Sequence, residues 1–401
     1  MIGTAKARWS PSQSESKPFS SASSTVAMAS RRFGIRAMKP TCIRLSSGNV
    51  MIDPPVVSHA VNVGRMPSGG NRAIFGADGH QPGEDDMAVR AGMGFGELKL
   101  SSAEAFWDWI DLLEDGGVNS YWQSDRLASS RPHLEPMTAL AAIAGRTKRL
   151  KFGMNVASLA LREPVLLAKQ CATIDYLSGG GRLLPAFGIG SKLAPDWAAT
   201  GAPLAGRGAR SDEALEIITR LWKGEKVDFE GRFFHVQGAR ISPTPVNPNI
   251  PMWIGGSTKA AVERTARFGS GWQAAFESPA QLAPVVRAIR AAAERQGRTV
   301  PEDHFGAGFP FRFGTMDDTP VAQEAAAFEK RLNKDPATYF AVGDAETIVN
   351  RIREYVAAGA TKFILRPVAE GDADMMAQTR RFIEEVQPAL DGIPIPEMAV
   401  A

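Results

Sequence analysis

The sequence predicts a (β/α)8 barrel, the TIM-barrel fold, with a β-hairpin insertion and a disordered N-terminal extension. Eight short apolar runs alternate with helical segments over about 300 residues of the 401-residue chain, which favours a barrel over a doubly wound sheet. One strand–helix–strand unit is especially clear. Polar or glycine-rich loops also follow the strands at their carboxyl ends, where parallel barrels bind ligands.

The clearest unit is built from two apolar runs with a helix between them. The runs cover residues 150–156 and 182–190, and the helical segment covers residues 165–176. Residues 155–158 and 188–192 follow the two strands at their carboxyl ends. We therefore expect these two loops to face one pocket.

The elements before this unit are short and separated by glycines. Residues 89–95 and 120–124 are apolar runs typical of strands. Between them, Ser101 or Ser102 can cap a helix whose apolar residues share one face. That face carries Phe106, Trp109, Ile110 and Leu113. An alanine-rich helix at residues 137–144 then leads into the central unit.

The second half repeats the alternation after an insertion. The segment 227–236 is typical of a hairpin that turns at Glu230-Gly231. Further strands are predicted at residues 252–254, 271–276, 305–313 and 362–366. Further helices are predicted at residues 207–222, 280–296, 345–358 and about 374–390, with two more ending near residues 268 and 331.

Residues 1–86 show neither a helical nor a strand period. Serine clusters, scattered arginines and glycine-proline spacers predict a disordered segment. Three interpretations stay open: an organellar transit peptide, a disordered tail, or an extension upstream of the natural start, with Met87 as that start. The predicted domains are therefore this extension, a barrel over residues 87–392, and a C-terminal tail over residues 393–401.

Charge and cysteine content exclude several classes of protein. The net charge is +3, but the excess lies in residues 1–86, and the remainder carries a net charge of −1. A nucleic-acid partner is therefore not expected. Only Cys42 and Cys171 are present, which excludes a disulfide framework, and Cys171 is expected to be a buried thiol. Since no apolar run could span a bilayer, we expect a cytoplasmic protein without a membrane contact.

The best local signal for an anion site is Gly255-Gly256-Ser257, at a strand-to-helix junction. Glycines let the backbone approach a ligand closely, and the free N–H groups of the helix start favour a phosphate. A tight turn that merely requires small residues is the alternative. The glycines at 92–96 lack the dinucleotide-binding spacing, and Gly179 to Gly181 precede a strand, so neither stretch predicts chemistry.

Candidates for proton transfer are polar residues near the strand carboxyl ends. They are Glu97, Asp125, His133, Asn155 and Asp196. Asp125 could instead pair with Arg126 or cap a loop, and His133 could be an ordinary loop histidine. Metal-ligand spacings and a nucleophile elbow are absent from the sequence. Because the barrel mouth has few acid–base groups, we expect a bound organic cofactor to perform the reaction chemistry.

The chain from about residue 87 to 390 resembles the bacterial luciferase-like flavin and deazaflavin oxidoreductases. The segments that carry the resemblance occur in the family's order. They are 121–127 (YWQSDRL), 161–169 (LREPVLLAK), 173–180 (TIDYLSGG), 181–190 (GRLLPAFGIG), 212–215 (DEAL), 229–234 (FEGRFF), 251–256 (PMWIGG) and 269–272 (GSGW). The resemblance implies a TIM barrel that binds its flavin or deazaflavin ring at the strand carboxyl ends.

The resemblance also implies roles for particular residues. Asp125 matches an acidic position near the ring, and Asn155-Val156 match the position where relatives hold a non-proline cis peptide against it. Gly188 and Gly190 match glycines of strand 4 beside the ring. The loop Gly255, Gly256 and Ser257 matches the one whose amides hold the cofactor phosphate.

Three motifs are more similar to the branches that use coenzyme F420 than to the FMN monooxygenases. They are residues 124–125 (SD), 184–187 (LPAF) and 232–235 (RFFH). Arg126 departs from several deazaflavin enzymes, which have a catalytic histidine there. His133, Glu97 or Asp196 could replace it, or hydride transfer could proceed without such a group.

The resemblance therefore implies hydride transfer between F420 and a small organic substrate. Alternatives are an FMN-dependent monooxygenase supplied by a reductase, and a non-catalytic flavin-binding barrel. A homodimer is implied, and a flavin or F420 reductase is a possible partner.

Overall fold

The computed structural model describes residues 88–247 and 249–396, which form a barrel of eight parallel strands. The strands are β1 (Arg90–Phe95), β2 (Ser120–Gln123), β3 (Lys151–Met154 and Ala157–Ser158), β4 (Leu183–Leu184 and Ala186–Gly188), β5 (Trp253–Gly255), β6 (Gly271–Gln273), β7 (Phe305–Ala307 and Pro310–Phe313) and β8 (Lys362–Pro367). The predicted fold class is confirmed. Predictions about residues 1–86 lie outside the described residues.

The strands pair in chain order, and the ring closes. β1 pairs with β8 through Arg90 and Lys362, and β8 pairs with β7 through the same Lys362 and Gly306. The two segments of β3 pair with the two segments of β4, and β4 continues to β5 through Ala186 and Trp253. Every strand therefore has two neighbours, and all eight carboxyl ends meet at one mouth.

Eleven helices accompany the strands in the described ranges. They are α1 (Ala103–Asp115), α2 (Pro136–Arg146), α3 (Pro164–Leu177), α4 (Asp196–Thr200), α5 (Arg207–Trp222), α6 (Lys259–Phe268), α7 (Pro279–Glu294), α8 (Thr319–Leu332), α9 (Pro336–Tyr339), α10 (Ala345–Ala357) and α11 (Gly371–Arg381). As predicted, Ser102 caps α1, its side chain accepting a hydrogen bond from Ala105 N. The apolar face of α1 is also buried as predicted.

Two predicted boundaries are wrong. The last helix was predicted to reach residue 390, but α11 ends at Arg381 and continues as a π turn (Phe382–Val386) and a 3-10 turn (Gln387–Ala389). Pro388 has no N–H, so it cannot extend an α-helix there. The hairpin strands are Val227–Glu230 and His235–Ala239, so its turn is longer than predicted.

The turn of the hairpin is organised by a side chain on α5. The Glu213 carboxylate accepts hydrogen bonds from the backbone N–H groups of Arg232, Phe233 and Phe234, at 2.9 to 3.1 Å. Three otherwise unpaired donors are satisfied in this way, which explains why the turn spans four residues rather than two.

Two helices and one strand were missed. Helices α4 and α9 are only 5 and 4 residues long, and the strand Ala341–Gly343 has 3 residues, which is too short to show a period. That strand pairs with the second segment of β7 and so lies outside the ring of eight. Among the described residues, no helix is both long and apolar enough to cross a bilayer.

A cavity at the carboxyl ends of the strands

The barrel mouth encloses a cavity of about 490 Å³, within the range of small-molecule sites. Each of the eight strands contributes a lining residue at or near its carboxyl end. Among the predicted site residues, those that line the cavity are Asp125, His133, Asn155, Val156, Gly188, Gly190, Gly255 and Gly256. Glu97, Asp196 and Ser257 do not line it. The two loops of the central unit thus face one pocket, as predicted.

The side chain of Val156 occupies the space left by glycines on two neighbouring strands. A Cβ atom on Gly188 would lie 2.7 Å from Val156 Cγ2, and one on Gly255 would lie 3.0 Å from Val156 Cγ1. A Cβ atom on Gly190 would meet the Trp197 ring at 2.9 Å. These glycines therefore first make room for protein side chains, which the sequence could not reveal. Their contact with a cofactor stays a prediction.

The peptide bond between Asn155 and Val156 is cis, the geometry that the resemblance implied. These two residues separate the two segments of β3. Asn155 N donates to Gln123 O on β2 at 2.8 Å. In the described part of the chain, the Asn155 side chain has no hydrogen-bond partner, and it faces the cavity. Position 155–156 therefore offers an amide and an apolar side chain to a ligand.

Asp125 is held in a buried ion pair. Its Oδ1 accepts from Arg162 Nη2 at 2.9 Å and its Oδ2 accepts from Ser158 N at 2.7 Å. Arg162 Nη1 also donates to Glu135 Oε1 at 2.9 Å. Burial disfavours the charge of Arg162, but the two carboxylates outweigh it and raise the pKa of the guanidinium. Both oxygens of Asp125 are thus engaged, and the network joins β2, β3 and the start of α2.

Asp196 binds a loop rather than the cavity. It is buried at the start of α4, where its Oδ1 accepts from the backbone N–H groups of Leu127 and Ala128 at 2.5 and 3.1 Å. Its Oδ2 lies 3.8 Å from Arg126 Nη1. This carboxylate therefore positions the loop after β2, with Arg126 pointing into the cavity.

Among the residues predicted for proton transfer, His133 lines the cavity and, within the described ranges, has one ring nitrogen without a hydrogen-bond partner. Its Nδ1 lies 3.0 Å from the carbonyl oxygen of Arg131, which can only accept, so a neutral ring carries its proton on Nδ1. Nε2 is then a free acceptor, with no hydrogen-bond partner among the described residues. Nearby, Glu97 pairs with Arg131 at 3.1 Å at the rim, outside the cavity lining.

The loop between β5 and α6 carries free backbone donors. Gly256 has a φ of +102°, and in the described structure the N–H groups of Ser257 and Thr258 have no acceptor. Thr258 caps α6 by accepting from Ala261 N at 3.3 Å. Ser257 Oγ, however, donates to Glu277 Oε1 at 2.5 Å, so a carboxylate lies beside the predicted anion site. Gly255 and Gly256 line the cavity, and Ser257 is not among its lining residues.

Gln273 places an unsatisfied acceptor in the cavity wall. This residue is buried at the end of β6, and its side-chain oxygen has no donor among the described residues. A buried acceptor without a partner costs about 1–3 kcal/mol. The oxygen lies against Gly306 on β7, so it fills the space that this glycine leaves and does not open onto the cavity.

Sequence reasoning missed several residues of the site. Arg366 follows the same rule that selected Asp125, because it is polar and ends a predicted strand, so it could have been found. Arg162 lies inside the segment 161–169 that carried the resemblance, but only the structure joins it to Asp125. Arg331 lies on α8, where the sequence holds no signal for it.

An eight-stranded parallel barrel with a cavity lined from every strand defines the class of α/β barrels that bind small molecules at their mouth. Residues 80–328 match the family model described as luciferase-like monooxygenase. The chain therefore belongs to the luciferase-like monooxygenase family, as the resemblance predicted.

Solved structures of this fold include proteins with different cofactors. One is an F420-dependent secondary alcohol dehydrogenase in complex with an F420–acetone adduct, 18% identical, with a TM-score of 0.65 over 76% of this chain and 99% of that chain. Another is the oxygenating constituent of 3,6-diketocamphane monooxygenase from Pseudomonas putida with FMN, 18% identical, with a TM-score of 0.63 over 77% of this chain and 100% of that chain. Identities this low establish the shared fold alone.

Curated relatives include uncharacterised proteins of Mycobacterium bovis and Mycobacterium tuberculosis. They are 33% identical over 172 residues, which cover 43% of this chain and 58% of theirs. The chain thus spans little more than half the length of these relatives.

Proposed function

We propose that this protein is an F420-dependent oxidoreductase, which transfers a hydride between the deazaflavin and a small organic substrate. The observation that carries the proposal is the state of the cavity's acid–base groups. Asp125 is bound to Arg162, and Asp196 and Glu97 face other partners outside the lining. The walls thus hold little chemistry of their own, and a bound redox cofactor would supply it.

Several described residues fit a ring bound across the mouth. Val156 would support one face of the ring, and the Asn155 side-chain amide, which faces the cavity, would bind a polar group of the ligand. The free N–H groups after Gly256, together with the start of α6, would hold a phosphate. The motifs at residues 124–125, 184–187 and 232–235 support F420 over FMN.

His133 would move the proton that accompanies each hydride. With Nδ1 hydrogen-bonded to the Arg131 carbonyl, Nε2 is left to accept a proton from the substrate or return it. Asp125 would then act indirectly, by positioning Arg162 and the Ser158 backbone. The homodimer and a reductase partner stay predictions.

Fluorescence titration of the full chain with F420 and, separately, with FMN tests the proposal. We expect micromolar affinity for F420 and at least tenfold weaker binding of FMN. Micromolar FMN binding without F420 binding would overturn the choice of cofactor and support an oxygen-activating enzyme. F420 binding without turnover of any substrate in a broad alcohol and carbonyl panel would contradict the enzyme and favour a non-catalytic barrel.

A further inference from the structure

Three arginines line the same cavity, and we call Arg126, Arg331 and Arg366 the arginine cluster. In the described part of the chain, Arg331 and Arg366 have no carboxylate within ion-pair distance. The nearest carboxylate oxygen to Arg126 is Asp196 Oδ2, at 3.8 Å. Asp125, the acidic residue of the lining, is already neutralised by Arg162. Arg331 and Arg366 therefore bring positive charge to the cavity wall without an ion-pair partner among the described residues.

Phe276 organises two members of the arginine cluster. The guanidinium carbon of Arg331 lies 5.2 Å from the centre of its ring, and that of Arg366 lies 5.6 Å away. Such contacts stabilise each cation by about 0.5–2 kcal/mol and hold the two guanidinium groups near one another. The aromatic ring thus presents two cations to the cavity without consuming their hydrogen-bond donors.

Burial makes the charge of Arg366 costly without a ligand. Arg366 Nε is buried and has no acceptor among the described residues. Desolvation lowers the pKa of the Arg366 guanidinium, and it also lowers that of Arg331, with the nearby charges of Arg126 and Arg131 adding to the effect. Glu324 attracts both Arg331 and Arg366, but its Oε2 accepts from Lys99 at 2.9 Å.

We propose that the arginine cluster binds an oxyanion of the substrate: a carboxylate, a sulfonate or a phosphate. Arginine donors match such groups in planar, charge-assisted pairs. This inference rests on the proposed function, which places the cofactor phosphate at the β5–α6 loop and the ring beside Val156. Arg331 and Arg366 both contact Phe276, and the next residue, Glu277, accepts from Ser257 Oγ on the β5–α6 loop. The cofactor titration below therefore decides between an anion of the substrate and one of the cofactor.

Arg126 supports the assignment to the substrate. It stands where the resemblance places a catalytic histidine in several deazaflavin enzymes, and Asp196 directs its loop so that it lines the cavity. A guanidinium at that position cannot exchange protons near neutral pH, but it can pair with an anion. At this position the chain therefore offers charge recognition in place of proton transfer.

The first measurement is anion binding to the full chain, with benzoate, methanesulfonate and inorganic phosphate as probes. Calorimetric titration is carried out on the wild type, Arg331→Gln and Arg366→Met. We expect one of the probes to bind the wild type and to bind each variant at least tenfold more weakly. Arg264→Gln is the matched control, because Arg264 is a buried arginine paired with Asp212 at 2.6 Å and does not line the cavity.

The second measurement separates substrate from cofactor. F420 and FMN are titrated into the same variants. Weakened anion binding with unchanged cofactor affinity supports the proposal, whereas a tenfold loss of both shows that the arginine cluster holds the cofactor's own anion and overturns it. Unchanged anion binding, or no binding of any probe, also overturns it. If neither cofactor binds the wild type, the proposed function fails, while the anion titration still decides about the cluster.

Circular dichroism and thermal unfolding check that the variants fold. Arg331→Gln changes a residue at the exposed mouth, so it keeps the test valid if Arg366→Met does not fold.

Discussion

Asp125, Asp196 and Glu97 are all candidates for proton transfer, and each finds a different partner in the folded chain. Asp125 pairs with Arg162, Asp196 accepts backbone N–H groups, and Glu97 pairs with Arg131. His133 keeps a free ring nitrogen in the cavity lining. The identity of a residue thus limits its chemistry, but its partners decide whether that chemistry is available.

Arg162→Met is expected to destabilise the protein by about 3–5 kcal/mol, because it leaves the buried Asp125 carboxylate without its counter-charge. The side chains of Arg162 and Asp125 are 11% and 1% exposed. Urea denaturation measures the effect. Arg146→Met is the control, since its pair with Asp111 is 50% and 39% exposed and solvent screens it, so a much smaller loss is expected. Equal losses in both variants would contradict the role of the network.

His133→Gln is expected to lower kcat by about 100-fold, because glutamine cannot exchange a proton, while the cofactor Kd stays within about twofold. Steady-state kinetics on a substrate that supports turnover, with a parallel cofactor titration, provide the measurement. His235→Gln is the control, because His235 lies on the exposed hairpin beside Glu230. An unchanged kcat would remove His133 from the proposed reaction.

On β4, a glycine leaves the space that a neighbouring side chain fills at the barrel mouth. Gly188 on β4 leaves its space to Val156, so Gly188→Ala would force a contact of 2.7 Å. We expect a loss of about 1–3 kcal/mol in unfolding free energy. Gly145→Ala on α2 is the control. Its Cβ atom meets nothing within 4 Å, so the unfolding free energy should rise by about 0.5–1 kcal/mol. Chemical denaturation of both variants measures this, and a stabilised Gly188→Ala would refute the packing argument.

The β5–α6 loop carries the prediction about the cofactor phosphate. Gly256→Asp places a negative charge beside the free N–H groups, so the cofactor Kd should rise at least tenfold, or about 1.4 kcal/mol. Gly297→Asp controls for backbone strain, because Gly297 has a φ of +65° and nothing within 4 Å of its Cβ position. Fluorescence titration decides: similar affinities in the two variants would place the phosphate elsewhere.

At the scale of the whole molecule, the two ends of the barrel have different structures. The mouth holds the cavity, whereas the amino-terminal end of β8 buries Lys362, which donates to Asn119 Oδ1. Burial lowers the pKa of this ammonium well below its usual 10.5, and the charges of Lys151 and Arg90 lower it further. One end of the barrel is thus available for ligands and the other is closed by packing, as in barrels generally.

Lys362 predicts how stability depends on pH. Between its pKa in the folded state and 10.5, only the unfolded chain binds the proton, so the free energy of unfolding should rise with pH. Lys362→Met should flatten this rise between pH 7 and 10, as measured by urea denaturation at each pH. Lys148→Met changes an exposed lysine, so the rise in unfolding free energy with pH should be the same as in the wild type. An unchanged slope in Lys362→Met would assign the effect to other groups.

The sequence by itself determined the order of the strands and the end of the barrel that holds the cavity. Apolar runs and glycine breaks are local, and chirality leaves few ways to connect parallel strands. The cap at Ser102 and the buried Cys171 thiol followed from local signals too. The cis bond after Asn155 followed from the resemblance.

Only the tertiary structure decided which polar side chains stay free. Asp125 meets Arg162 across 37 positions, Leu127 meets Asp196 across 69, and Arg331 and Arg366 converge on Phe276 from different elements. Ion pairing depends on distance in space and on burial, and neither is written in local sequence. The same chain closure that packs Val156 against two glycines therefore also pairs the acids and leaves Arg331 and Arg366 without an ion-pair partner among the described residues.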